Sequence, residues 1–136
     1  MSKIPKISAS YRYTQGDCWY LALILHRLYG YSLHAFGIEG RREPKIYYHA
    51  FVLLDTIDGE RRYLDVNGIS TFFEIESLYR PRTSDLSSKA FIRECQVSDF
   101  RRFSAPLRTL VFPDNHLYVY RVAHRVVRKY VKGFAE

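Results

Sequence analysis

The clearest pattern in the chain is a run from Cys18 to Tyr29 that is apolar nearly all round and free of proline and glycine. A segment apolar on every side predicts a buried helix. Thr14-Gln15-Gly16-Asp17 places a turn-capable glycine and a capping aspartate ahead of it, and Gly30 closes it as a C-cap residue. Residues 1–13 carry no period and read as an N-terminal arm. Tyr31 to Ile38 predicts a first strand, and Gly37 to Pro44 a charged turn. Ile46 to Asp55 is apolar on both alternating faces, which predicts a central strand covered on both sides. Asp58-Gly59 marks a hairpin turn, Arg61 to Asn67 the return strand, and Asn67-Gly68 its end.

Phe72 to Tyr79 predicts a short helix, and Arg80 to Ser88 a loop. Lys89 to Cys95 fits a strand or a helix. Val97-Ser98-Asp99 has the form of a cap before a short helix through Phe103, and Pro106 and Pro113 bracket an irregular stretch. Asp114 and Asn115 are placed to cap a last helix running to about Lys132, with Gly133 after it. Val119, Val122, Ala123, Val126, Val127 and Tyr130 share one face of that helix, and Arg121, Arg125, Arg128 and Lys132 form a basic stripe opposite. There is no internal repeat and no low-complexity segment. The sum is one α+β domain: a buried Cys-bearing helix packed on a small antiparallel sheet, plus a C-terminal amphipathic helix.

Composition adds partners rather than fold. The formal net charge is +7, compatible with nucleic acid, an acidic protein or an anionic membrane surface. The basic stripe reads either as a solvated face or as a docking surface for an acidic protein or nucleic acid. Paired arginines, Arg41-Arg42, Arg61-Arg62 and Arg101-Arg102, extend the same two readings. The 12 tyrosines suit half-buried strands as well as base stacking. No apolar run approaches the roughly 18 to 20 residues of a membrane span. The residues Met1 to Lys6 lack the apolar stretch of a secretory signal, and Cys18 and Cys95 are too few for a disulfide framework. A reducing cytoplasm is therefore the expected setting. No Cys/His spacing suggests zinc and no glycine motif suggests a phosphate site, so no cofactor is expected.

Three polar placements carry chemistry. Cys18 stands at the start of the buried helix, where unpaired N–H groups and the positive dipole end favour a thiolate and can hold an oxyanion. The plainer reading is a small apolar core residue. His49 interrupts the apolar run Ile46 to Leu54, and Asp65 interrupts the strand expected to pair with it. A hairpin register in which paired numbers sum to an even value, such as Thr56 opposite Glu60, puts His49 and Asp65 on one face; an odd register separates them. The plainer readings are a satisfied core histidine and an aspartate capping the Asn67-Gly68 turn. Together the three make a nucleophile, a base and a group that orients the base. His26, His34, His116, His124 and Cys95 show no comparable context.

The order Gly16-Asp17-Cys18-Trp19-Tyr20-Leu21-Ala22-Leu23, His49-Ala50-Phe51-Val52, Tyr63-Leu64-Asp65-Val66-Asn67-Gly68 resembles the papain-like cysteine hydrolase superfamily. It is nearest the transglutaminase-like and arylamine N-acetyltransferase branch. The gaps of 31 residues (18 to 49) and 16 residues (49 to 65) fit that branch, and the likeness covers residues 14–68. The coenzyme A region of the acetyltransferases has no counterpart. The resemblance implies a papain-like fold with Cys18 as nucleophile, His49 as general base and then acid, and Asp65 as the orienting group. It implies a catalytic core at 14–68 and a cleft wall with the C-terminal helix at 69–136. By the same analogy Gln15 is an oxyanion donor; a turn residue is its plainer reading. The implied function is a thiol hydrolase or acyltransferase (peptidase, deamidase or transglutaminase-like) acting through a thioester on a protein or amide substrate. The rival class is a non-catalytic basic binding module.

Overall fold

Alternation along the strands decides the layers of this α+β molecule. The computed structural model describes residues 18–40, 46–80, 88–99 and 116–131. Its elements are α1 (Cys18–Tyr29), β1 (Ser32–Glu39), β2 (Ile46–Ile57), β3 (Glu60–Asp65), β4 (Gly68–Ser70), α2 (Phe72–Tyr79), β5 (Lys89–Cys95), a 3-10 turn (Val97–Asp99) and α3 (His116–Tyr130). The strands form one antiparallel sheet in the order β4-β3-β2-β1-β5. Side chains of successive strand residues point to opposite faces. Leu33, Ala35, Ala50, Val52, Leu64 and Cys95 accordingly join α1 and α3 in one core. Phe36, Ile38, Phe51 and Tyr63 join Ile75 of α2 in the other. β2 lies at the centre and is covered on both sides, as its apolar run predicts. Truncating a fully buried residue such as Leu64 to alanine costs about 2–5 kcal/mol.

α1 begins at Cys18 and packs chiefly on β2 and α3. Gly30 ends it in the left-handed region, φ 78°, with its N–H donating to the His26 carbonyl at 2.9 Å. His26 Nδ1 bonds the Tyr31 carbonyl at 2.6 Å, so this histidine tethers the helix to β1. On α3, Val119, Val122, Ala123, Val126 and Val127 are buried while Arg121, Arg125 and Arg128 are exposed. The Tyr29 hydroxyl and His124 hydrogen-bond, tying α1 to α3.

Lys89–Cys95 resolves as an edge strand on β1, and α2 occupies the span expected of it. Thr71 and Glu74 form a reciprocal capping box at its start. Two expectations change. The return strand stops at Asp65, not Asn67: Asp65 Oδ1 takes the Asn67 N–H at 2.8 Å, pulling the chain into a two-residue turn from which Gly68 pairs back with Asp65. Gly68 sits at φ 115°, and a Cβ there would stand 2.8 Å from the Tyr130 ring of α3. At Val97–Asp99 the cap lies one residue earlier, since Asp99 Oδ2 accepts from the Gln96 N–H at 2.7 Å.

The N-terminal arm, the helix start at 14–17, Arg41, Arg42, Arg101, Arg102, the continuation to Phe103, Pro106, Pro113, Asp114, Asn115, Gln15, Lys132 and Gly133 lie outside the described residues. Among the described residues no helix is long and apolar enough to cross a membrane.

Candidate active site

The geometry of the site begins with the hairpin between β2 and β3. Asp58 and Gly59 both have positive φ, 54° and 81°, the two-residue turn whose twist matches the strands. Such a turn closes with Ile57 opposite Glu60, an odd sum, so Thr56 does not pair with Glu60 as an even register would have it. Continued unchanged, that register would place His49 and Asp65 on different faces. A bulge between Leu53 and Asp55 intervenes, after which Leu53 faces Tyr63 and Val52 faces Leu64, an even sum. Parity is thereby restored before the site is reached, and His49 and Asp65 lie diagonally on one face.

A second irregularity lies beside His49. Phe36 pairs with His49, but Gly37 pairs with Tyr47, leaving Tyr48 as the extra residue of β2. Bulges of this kind re-aim neighbouring side chains. His49 is fully buried, and its Nε2 meets Asp65 Oδ2 at 2.8 Å. The other carboxylate oxygen of Asp65 holds the Asn67 N–H. One carboxylate oxygen of Asp65 thus meets the imidazole while the other caps the turn before Gly68.

Cys18, the first residue of α1, is 5% exposed and acts on the same imidazole. Burial works against a charge on His49. The hydrogen bond to Asp65, then the hydrogen bond and charge of Cys18, then the charge of Asp65 outweigh it and raise His49 to about 9. The surroundings thus favour the protonated form of the ring. Nδ1 is buried without a well-directed hydrogen bond, and the thiol is the remaining polar group acting on the ring. An α-helix leaves its first N–H groups without intrahelical acceptors, and Cys18 stands at that end of α1.

One neighbour was not visible as a site residue in the sequence. The Tyr79 ring, from the end of α2, stacks on His49 with centroids 3.8 Å apart and planes 13° from parallel. Burial, then the charges of Asp65 and Cys18, push its hydroxyl well above the usual phenol range, while a hydrogen bond from the Asn67 side chain works the other way. Nothing in the pattern separates Tyr79 from the other tyrosines; its role depends on the β4 turn that aims α2.

The remaining candidates do not join this cluster. Cys95 is buried in β5 at 5% exposure; burial pushes its thiol up to about 11 against a smaller opposing effect of Arg93. His34 is buried in β1, where Ser32 Oγ meets its Nε2 at 3.0 Å and burial lowers it below the ordinary histidine range. Arg121, Arg125 and Arg128 line a shallow groove with His124 and Lys129, separate from Cys18, His49 and Asp65. Comparisons with protein-family models, curated proteins and solved structures gave no match.

Proposed function

We propose that this protein is a cysteine-dependent acyl-transfer enzyme or hydrolase of papain-like type, working through a thioester on a protein or amide substrate. The observation that carries the reading is a single buried imidazole bonded to Asp65 on one nitrogen and acted on by Cys18. Cys18 Sγ, its proton passed to His49, attacks the substrate carbonyl carbon, and the helix N-terminus steadies the oxyanion. The tetrahedral species collapses as His49 returns the proton to the leaving amine or alkoxide. Water or an amine then attacks the thioester, His49 takes its proton and passes it to the departing sulfur, and Cys18 leaves as the thiol with His49 neutral again. Asp65 keeps the ring oriented and its charge stabilised throughout.

p-Nitrophenyl acetate is a generic acyl donor that tests this. The acetyl group should be found on Cys18 with release of p-nitrophenolate, and His49→Ala should slow that step at least tenfold, on the scale of general-base catalysis. Acetyl transfer that ignores His49, or that fails to mark Cys18, removes the reading.

The rival reading, a basic binding module, draws on α3, whose exposed positions 121, 124, 125, 128 and 129 are all Arg, His or Lys. Binding of RNA or DNA that weakens steeply with added salt would be its signature.

A further inference from the structure

The groups around His49 form a closed circuit. Asp65 binds the ring through one oxygen and the Asn67 backbone through the other. The Asn67 side chain hydrogen-bonds the Tyr79 hydroxyl. The Tyr79 ring lies flat over the imidazole and completes the loop. Asn67 itself is exposed on the β3–β4 turn, while the groups it links are buried or half-buried.

We infer that Tyr79 and Asn67 are positioning residues for His49: Tyr79 roofs the imidazole and seals its bond to Asp65 from water, and Asn67 locks that roof in place. The inference rests on the thiol-enzyme reading for its consequence but not for its geometry. Three effects follow from the arrangement. A flat roof at 3.8 Å leaves no room for water above the ring, so the Asp65 bond keeps its low-dielectric strength. The electron-rich face of the phenol favours a charged imidazole beneath it. A stacked ring cannot rotate freely, so the nitrogen not held by Asp65 keeps a fixed direction. Asn67 adds economy of wiring: one residue fixes the carboxylate by its main chain and the roof by its side chain.

The test reads the Nε2–H proton of His49 by NMR, since a buried, charge-assisted N–H to a carboxylate is shifted downfield and exchanges slowly with water. In the intact protein at pH 7 the signal should be present. Tyr79→Leu keeps bulk but removes the roof, and should abolish the signal by exchange while slowing alkylation of Cys18 by iodoacetamide roughly tenfold. Tyr79→Phe keeps the ring and should retain the signal with exchange a few-fold faster. Asn67→Ala alters only an exposed side chain and should match Tyr79→Phe. The double variant should be no worse than either single one, because both break the same bond.

The inference is overturned if the wild-type signal is absent, if folded Tyr79→Leu keeps both signal and rate, or if the effects of Asn67→Ala and Tyr79→Phe simply add. If Tyr79→Leu does not fold, the Asn67→Ala and Tyr79→Phe pair still decides. The N–H signal needs no activity. An unreactive Cys18 with a Tyr79-dependent signal would therefore remove the enzyme reading and leave the positioning role standing.

Discussion

His49 and His34 lie on neighbouring strands of one sheet, both essentially fully buried, yet they are driven in opposite directions. His34 meets a neutral hydroxyl, Ser32, and burial lowers it. His49 meets a carboxylate and a thiol, and these overcome the same burial to raise it to about 9. The two cysteines repeat the contrast. Cys18 and Cys95 are each 5% exposed, but Cys18 stands at a helix start against His49, whereas Cys95 lies in β5 with its thiol pushed up to about 11. Burial is common to both members of each pair, so burial does not make the site. The polar partner supplied at fixed burial does.

The sharpest way to break this comparison is to let the two thiols compete. Because their exposure is equal, a difference in alkylation rate reports chemistry rather than access. At pH 7 a thiol near 11 is ionised in about one molecule in 10⁴, against a few per cent for an unperturbed thiol. Iodoacetamide mapped by mass spectrometry should label Cys18 at least about 10²-fold faster than Cys95. Equal labelling would dissolve the distinction between the two halves of the core. His49→Ala should bring Cys18 down to the rate of free cysteine or below.

The next effect concerns what holds His49 charged. Asp65→Asn preserves shape but removes the carboxylate charge, and leaves the Asn67 N–H an amide oxygen to bond. His49 should then titrate well below about 9, toward its ordinary value near 6.5, as read by NMR of the ring. The rate of Cys18 alkylation at pH 7 should fall roughly tenfold. A His49 titration unmoved by this change would mean that Cys18, not Asp65, holds the proton in place.

Much of this was legible in the sequence, and the exceptions have physical causes. The Cys18–Tyr29 helix, the strand bearing His49 and the span Phe72–Tyr79 follow from apolar period and from glycine placement. The pairing of His49 with Asp65 followed for a reason that proved incomplete. The shared face was conditional on an even register, but the two-residue turn at Asp58-Gly59 imposes an odd one, and the bulge past Leu53 restores parity. A bulge has no dependable signature in a single sequence, because it is decided by how two strands share twist. The β4 strand was missed for a related reason: the carboxylate of Asp65 turns the chain two residues early, and that bond depends on a side chain already engaged with His49. Tyr79 could be reached only through β4, since that turn aims α2 at the imidazole.

The smallest effect returns to the histidine pair, in the dependence of stability on pH. His49 is raised from near 6.5 to about 9, so the folded state binds the extra proton between those values. Its contribution to stability is full below about pH 6.5 and is lost as pH rises through about 9. His34 is lowered, so between its folded value and about 6.5 the unfolded chain binds more protons; its contribution is full above about 6.5 and fades on acidification. Urea midpoints measured from pH 5 to pH 10 should therefore decline at both ends. Asp65→Asn should flatten the alkaline decline, and His34→Leu the acid decline, each leaving the other limb in place. The His34 limb should be the shallower one, because Glu94 opposes the effect of burial there, whereas at His49 the favourable interactions with Asp65 and Cys18 outweigh burial altogether. If a single substitution flattened both limbs, the two histidines would be coupled and the sheet would be one titrating unit. Independent limbs would show that one sheet holds two buried imidazoles in separate environments, only one of them hydrogen-bonded to a carboxylate.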